Sequence, residues 1–204
     1  MGAVVRLRVP TRRTVKIIVV DGIDGAGKST LVSSLLASLK PRPCLLNQPN
    51  WATKRALALP HIQGKSKEKI KARLNLLAAS HVTALAKSYA EVVISDRWFP
   101  ITTKAYQCGA EGVSEKLLTE PLKWADFRHP DIVLYLDVPL DVALKRMDSA
   151  DYSKGAMYYA RAIQSYKEIA CRWSACPWVH LDASVSQETL HGLATAALEQ
   201  NGIL

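Results

Sequence analysis

A glycine-rich stretch near the N-terminus constrains the fold more than any other part of this sequence. Residues 22–30 read GIDGAGKST, follow the apolar run 17–20 and precede a helix-like segment that starts at Leu31. A strand, a tight turn and a helix N-terminus in this order let backbone N–H groups converge on phosphate oxygens. An ordinary glycine turn is the alternative, but the following Lys28 and Ser29 favour a phosphate-binding loop.

The residues of this loop have distinct expected roles toward ATP and Mg²⁺. The glycines allow the backbone to turn, Lys28 is expected to bind the β- and γ-phosphates, and the Ser29 hydroxyl is expected to bind Mg²⁺. An acid beside ATP phosphates is electrostatically costly, so a sugar hydroxyl of a second substrate is the expected partner of Asp24. The predicted ATP-binding residues of the loop are Gly22, Asp24, Gly25, Ala26, Gly27, Lys28, Ser29 and Thr30.

The rest of the chain alternates between strand-like and helix-like segments. Strands are predicted at 15–20, 44–46, 91–95, 131–137 and 178–181, and the main helices at about 31–36, 70–85, 102–107, 114–125, 140–147, 157–173 and 187–200. This alternation predicts an α/β fold of the P-loop NTPase class, a three-layer α/β/α domain with a five-stranded parallel sheet. We interpret 1–14 as a basic extension, 15–204 as a single domain and 148–156 as a short lid.

Composition limits the setting in which the protein works. The 204 residues contain no apolar run near the ~18 residues that a membrane span needs, so we expect one cytoplasmic domain without a membrane. The four cysteines show no Cys-x-x-Cys pair and no nearby histidines, which favours reduced thiols and no structural metal.

Positive charge is concentrated in two parts of the chain. Four arginines precede the first strand, and residues 54–73 carry seven basic side chains against Glu68 alone, within a formal net charge of +9. Such a field attracts phosphate-bearing ligands, either free nucleotides or nucleic acid. A solvated basic helix face explains the same pattern.

Two charged residues follow the third predicted strand. Asp96 can hold Mg²⁺ beside the phosphate loop, directly or through water, and Arg97 can bind an anionic phosphate with two N–H groups. The alternative is a local ion pair that caps the next helix.

Successive blocks of the sequence resemble those of thymidylate kinases. The blocks are residues 21–30, 93–98, 105–107, 130–139 with 144–146, and 181–184, and they span about residues 15–200. The resemblance implies transfer of the γ-phosphoryl group of ATP to dTMP, with Mg²⁺ as cofactor and a homodimer as the assembly. No protein nucleophile is needed, because positioning and charge neutralisation carry phosphoryl transfer.

The resemblance also implies roles for individual residues. Asp24 would bind the sugar 3′-hydroxyl, Arg97 the acceptor phosphate and Tyr106 the deoxyribose, while Thr103 and Gln107 would face the base.

On the donor side, Arg146 would lie over the adenine and Ala183 would border it. The expected catalytic residues are Lys28, Asp96, Arg97, Arg146 and Lys154, and Ser29 and Asp96 would organise the metal.

The acceptor side departs from the family pattern. The motif Phe-Ala-Ala-Asp-Arg is replaced by the segment from Leu77 to His81, which weakens both aromatic stacking and a fixed cation. Gln48, Pro49 and Trp51 stand where the family has an acid or an arginine near a proline, and Trp51 offers a new aromatic face. The interval from Arg97 to Ala105 is one residue longer than usual.

The predicted lid also departs from the family pattern. Family members with glycine at position 25 commonly carry catalytic arginines in the lid, whereas this short lid offers only Lys154 before Arg161. Either four basic residues together stabilise the γ-phosphate, or turnover is modest. These residues are Lys145, Arg146, Lys154 and Arg161.

Three functions remain open at this point. The first is a deoxynucleoside monophosphate kinase that accepts dTMP or a related or modified deoxypyrimidine monophosphate. The second is a related P-loop kinase acting on a nucleoside or on a hydroxyl of a modified base in DNA, with nucleic acid as a possible but not favoured partner. The third is a nucleotide-binding protein without turnover.

Overall fold

The computed structural model describes residues 15–47, 49, 51–86, 90–124 and 128–204. The predicted basic extension 1–14 and the predicted acceptor residue Gln48 lie outside the described residues, as does the side chain of Trp51.

Five strands and the helices between them alternate along the chain. The elements are β1 (Lys16–Asp21), α1 (Lys28–Ser38), β2 (Cys44–Asn47), α2 (Trp51–Leu57), α3 (Lys67–Ala86), β3 (Val92–Asp96), α4 (Phe99–Thr103), a π-helix π1 (Lys104–Ala110), α5 (Glu115–Trp124), β4 (Ile132–Asp137), α6 (Leu140–Arg146), α7 (Ser149–Tyr152), α8 (Ala156–Arg172), β5 (Trp178–Asp182) and α9 (Gln187–Gln200).

The strands form one parallel sheet in the order β2-β3-β1-β4-β5, which confirms the predicted architecture. The apolar runs of β1, β3 and β4 are buried on both faces, as expected for a sheet covered by helices on each side. Val20 pairs with Asp96, and Asp21 pairs with Tyr135. This register brings the carboxyl ends of β1, β3 and β4 to one edge, where the phosphate loop leaves β1.

Three local features differ from the predicted elements. Helix α2 begins at Trp51 where a loop is predicted, and α7 lies within the predicted lid loop. Asp148 caps α7, because its carboxylate accepts a hydrogen bond from Asp151 N at 2.8 Å.

The third difference is π1, which occupies part of a predicted α-helix. Its winding continues to Glu111, whose N–H donates to Tyr106 O, five residues earlier. Each hydrogen-bonded π-turn holds one more residue than an α-turn, so residues 104–110 are wound more widely than the predicted helix.

Among the described residues, no helix combines the length and apolar character needed to cross a bilayer.

Candidate active site

The phosphate loop joins β1 to α1 and depends on glycine at two positions. Gly25 and Gly27 have φ angles of 77° and 91°, in the left-handed region that favours glycine. A Cβ at position 25 would lie 2.3 Å from Ala143 O, so the loop packs directly on the backbone of α6. A larger residue does not fit at this position, which leaves any further cation at the γ-phosphate to come from elsewhere in the chain.

Lys28 is buried at the start of α1. Its Nζ donates to Ile23 O at 2.6 Å and lies 4.0 Å from Asp24 Oδ1. Burial, followed by repulsion from Arg97, lowers the pKa of Lys28 to about 8, although nearby carboxylates act in the opposite direction. A phosphate anion bound beside Lys28 would therefore stabilise its charged form.

Ser29 and Asp96 meet between the loop and the end of β3. Ser29 Oγ donates to Asp96 Oδ2 at 3.1 Å. Asp96 Oδ1 is buried and accepts no hydrogen bond from any residue that the structure describes. Mg²⁺ is a hard cation that prefers oxygen ligands and completes its coordination shell with water and phosphate. The Ser29 hydroxyl and the Asp96 carboxylate, whose buried Oδ1 accepts no hydrogen bond from the described residues, provide such ligands. The residues present therefore fit this metal.

Asp24 is the centre of a cationic cluster. Its Oδ1 accepts a hydrogen bond from Arg97 Nη2, and its Oδ2 lies 3.4 Å from Lys154 Nζ and 3.3 Å from the Tyr159 hydroxyl. Burial would raise the pKa of Asp24, but Arg97, Lys28 and Lys154 together lower it below its usual value. Asp24 is thus held ionised between the loop, β3 and the lid.

Arg97 adopts a backbone conformation that is rare outside glycine, with φ at 76°. Two hydrogen bonds hold it there: Arg97 N donates to Val20 O at 2.9 Å, and Ser95 Oγ donates to Arg97 O at 2.6 Å. The guanidinium lies 5.4 Å from the centre of the Tyr106 ring, within range of a cation–π contact. Strain of this kind persists where the surroundings fix a functional side chain.

Two cavities meet at this cluster. A cavity of about 710 Å³ is lined by the phosphate loop and Asp96, and a second of about 510 Å³ by residues of α3, α4 and π1. Asp24, Arg97 and Asp151 line both. Both volumes are in the range of small-molecule sites.

Most of the predicted nucleotide-binding residues line one of these cavities. The larger one includes Gly25, Ala26, Gly27, Lys28, Ser29, Thr30, Asp96, Arg146 and Ala183. The smaller one includes Pro49, Leu77, His81, Thr103, Tyr106 and Gln107. Gly22 lines neither of the two; an added Cβ there would lie 2.8 Å from Leu136 O, at the base of the loop.

His81 lies buried in the wall of the smaller cavity. Its ring packs edge-on to Trp98 with centroids 4.1 Å apart. Burial lowers the pKa of His81 to about 4, so the imidazole is neutral near pH 7. This agrees with the expected loss of a fixed cation at this position.

The four basic residues that are expected to stabilise the γ-phosphate lie in different parts of the structure. Arg146 lines the larger cavity and donates to Ala183 O at 2.8 Å, and Lys154 lines the smaller one and donates to Asp151 Oδ1 at 2.9 Å. Lys145 is exposed beside Asp141, and Arg161 lines a separate cavity next to Gly109 and Ser165. Arg146 and Lys154 are thus the two placed near the candidate site.

Several residues of the site were not singled out in the sequence. Asp21 is fully buried behind the phosphate loop and accepts hydrogen bonds from Thr102 Oγ1 and Tyr166 OH, each at 2.7 Å. Glu111 and Tyr158 line the smaller cavity. The sequence signal for Asp21 was an acidic residue at the end of an otherwise apolar strand. No sequence pattern pointed to Glu111 or Tyr158.

Part of the basic segment 54–73 is used inside the molecule. Arg73 donates to the carbonyls of Ile62 and Gly64, and Lys71 pairs with Glu120 at 2.6 Å. These residues are therefore less available to a nucleic acid than the charge count suggests.

Comparison with known proteins shows which family the chain is similar to. The family model described as Thymidylate kinase matches residues 20–193. A probable thymidylate kinase of Metallosphaera sedula is 30% identical over 192 residues, which cover 89% of this chain and 95% of that protein. A thymidylate kinase of Chlorobium chlorochromatii is 31% identical over 211 residues, covering 90% and 94% respectively. One of Parasynechococcus marenigrum is 34% identical over 185 residues, covering 78% and 88%.

Proposed function

The chain belongs to the thymidylate kinase family, and from this premise we propose that it transfers the γ-phosphoryl group of ATP to dTMP or a related deoxypyrimidine monophosphate, giving the diphosphate. The observation that carries this proposal is the meeting of two cavities at Asp24, Arg97 and Asp151. A kinase of this type needs a donor and an acceptor site that share a boundary, because the phosphoryl group crosses that boundary.

The larger cavity is the proposed donor site. The loop amides and Lys28 bind the ATP phosphates, while Arg146 and Ala183 border the adenine. The left-handed glycines and the N-terminus of α1 support this assignment, because they aim backbone N–H groups at an anion.

The smaller cavity is the proposed acceptor site. Arg97 binds the acceptor phosphate, Asp24 the sugar hydroxyl and Tyr106 the deoxyribose, with Thr103 and Gln107 toward the base. Asp24 and Lys154 interact with each other, so the entry of an acceptor exchanges these contacts for contacts with the ligand. The strained backbone of Arg97 supports its role, since it fixes the guanidinium at the boundary of both cavities.

Ser29 and Asp96 are the residues that would hold Mg²⁺. When bound, the metal supplies positive charge to the donor phosphates. Around it, Lys28, Arg146 and Lys154 stabilise the charge that spreads over the transferred group, and Arg97 orients the acceptor oxygen by holding its phosphate. We also propose a homodimer, which rests on the family resemblance and is tested by light scattering in solution.

An ADP-release assay over the set of nucleoside monophosphates tests the activity. We expect ADP release with dTMP or a related deoxypyrimidine monophosphate, and a loss of about 100-fold in kcat/KM in Arg97→Ala, which removes a charge-assisted contact. Lys145→Ala is the matched control, because Lys145 is an exposed cation outside both cavities, and its activity should stay at the wild-type level. ATP binding without ADP release for any monophosphate would contradict the proposal.

The basic segment 54–73 favours one second candidate, phosphorylation of a nucleoside or of a hydroxyl in DNA. Nucleosides and duplex DNA in the same assay distinguish this activity. ADP release with nucleosides or duplex DNA, and with no free monophosphate, would show that one of these is the acceptor instead of a monophosphate.

A further inference from the structure

Asp151 is an acidic residue that lines both nucleotide cavities. It belongs to α7, within the predicted lid, and 36% of its side chain is exposed. Nucleotide phosphates are anionic, so a carboxylate close to them raises the electrostatic energy unless a cation offsets its charge. Asp151 therefore needs a cationic partner at this place.

Lys154 is this partner. Its Nζ donates a hydrogen bond to Asp151 Oδ1 at 2.9 Å, and its backbone N–H donates to Asp151 O at 3.1 Å. Side chains three positions apart on a helical turn are neighbours, which makes the pair possible within the lid itself. Among the residues that the structure describes, no other lysine, arginine or histidine pairs with Asp151.

Two further contacts hold the backbone of Asp151. Its N–H donates to Asp148 Oδ1 at 2.8 Å, and its carbonyl accepts a hydrogen bond from the Tyr159 hydroxyl at 3.0 Å. Tyr159 is a fully buried residue of α8. The Asp151 carboxylate therefore extends from a backbone that is fixed at both its N–H and its C=O.

A second carboxylate also contacts Lys154, at a longer distance. Asp24 Oδ2 lies 3.4 Å from Lys154 Nζ, and Asp24 is the proposed ligand of the acceptor sugar. The 2.9 Å hydrogen bond to Asp151 has the length of a strong charge-assisted bond. Burial would lower the pKa of Lys154, but the hydrogen bond to Asp151 and then the charge of Asp24 raise it above its usual value. Asp151 is thus the closer of the two anions that hold this ammonium group.

We propose that Asp151 is a positioning residue for phosphoryl transfer, which holds Lys154 Nζ at the junction of the two cavities while Asp24 binds the acceptor sugar. This inference rests on the proposed function and extends it by naming the residue that places the lid cation. Asp151 acts on the rate through Lys154 and does not touch the reacting atoms.

The substitution Asp151→Asn tests the proposal directly. Asparagine keeps the size of the side chain but loses its charge, so it holds the ammonium group less firmly. We expect kcat with saturating ATP and dTMP to fall by about tenfold, the effect of one charge-assisted hydrogen bond. The KM for ATP should not rise, because the loss of a negative charge favours the binding of an anionic nucleotide. An acid with no positioning role would give an unchanged or higher kcat.

Asp141→Asn is the matched control. Asp141 pairs with Lys145 on α6 and lines neither nucleotide cavity, so its loss should leave kcat at the wild-type value. In a Lys154→Ala background, Asp151→Asn should cause no further fall in kcat, because the group that it positions is absent. A general weakening of the lid would lower kcat again in that background.

Three results would overturn the inference. One is an unchanged or higher kcat in Asp151→Asn. Another is the same tenfold fall when Lys154 is already alanine, which would mean that Asp151 acts on the substrates without Lys154. Both leave the proposed function intact, because the wild-type protein still converts the monophosphate to the diphosphate. The third is a wild-type protein that phosphorylates no free monophosphate, which would remove the proposed function together with this inference.

Discussion

Asp21 has no exposed side-chain surface and forms the support behind the phosphate loop. Its carboxylate accepts hydrogen bonds from Gly22 N, Trp98 N, Thr102 Oγ1 and Tyr166 OH. Burial raises the pKa of Asp21, although Arg97 and the hydrogen bonds from Thr102, Tyr166 and Gly22 oppose the shift. The Asp21 side chain thus connects β1 to the start of α4 and to α8. Its hydrogen bond with Gly22 N also holds the first residue of the phosphate loop.

The substitution Asp21→Asn should lower the free energy of unfolding by about 2–3 kcal/mol. An amide places an NH₂ group against donors that need an acceptor, which leaves buried polar groups unsatisfied. Urea denaturation measures the change. Asp141→Asn is the control, because this aspartate is exposed on α6 with 72% of its side chain accessible. Equal stability of the two variants would show that the network around Asp21 contributes nothing.

Lys28 makes the binding of ATP depend on pH. Its pKa is about 8 without a ligand, and bound phosphates should raise it toward the usual lysine value. Near pH 7 Lys28 is already protonated, so binding takes up few protons. Near pH 9 it is mostly neutral, so binding should take up close to one proton and affinity should fall as the pH rises.

Calorimetry of MgATP binding in buffers of different ionisation enthalpy measures this uptake. The uptake near pH 9 should disappear in Lys28→Ala and persist in Lys145→Ala. Equal proton uptake near pH 7 and pH 9 in the wild type would contradict the lowered pKa.

Residues within one motif were predictable, and those assembled from distant segments were not. The loop from Gly22 to Thr30 is contiguous, so its glycines, lysine and hydroxyl could be read together. Asp21 meets Tyr166, which lies 145 positions along the chain, and Glu111 meets Tyr158 across 47 positions. Only the tertiary packing of α8 brings such groups together, and no local sequence pattern records it.

At the scale of elements, the buried strands were predictable and the short helices were not. A run such as Ile17–Val20 is apolar throughout because both faces of the sheet are covered. Helices α2 and α7 have seven and four residues, too few to show a helical repeat of apolar positions. Likewise, the amino-acid composition of residues 104–110 does not distinguish a π-helix from an α-helix.

The lid contributes one cation to the junction of the cavities. Lys154 follows α7 and lies 3.4 Å from Asp24, whereas Arg161 lines another cavity. Lys154→Ala should lower kcat by about 10- to 100-fold, since it removes a charge-assisted contact near the transferred group. Arg161→Ala should keep most of the wild-type kcat.

Steady-state kinetics at saturating ATP and acceptor separate these two variants. A larger loss of kcat in Arg161→Ala than in Lys154→Ala would mean that the lid rearranges to bring Arg161 to the phosphates. Arg161, rather than Lys154, would then be the lid cation that acts on the transferred group.

At the scale of the whole molecule, the parallel sheet explains why the two nucleotide sites adjoin. Strands β1 and β3 are hydrogen-bonded neighbours, so the phosphate loop after β1 and Arg97 after β3 emerge side by side. Asp24 and Arg97 then form the boundary between the cavities. Ligand sites at the carboxyl ends of adjacent strands follow from this topology, which the alternation of elements predicted.

A phosphoryl group that crosses this boundary is central to the proposed function. A single-turnover experiment with γ-labelled ATP, Mg²⁺ and dTMP, stopped by rapid quenching, follows the label directly. We expect the label to appear in the β-phosphate of dTDP as ATP is consumed. Label released only as inorganic phosphate, with dTMP unchanged, would contradict this transfer.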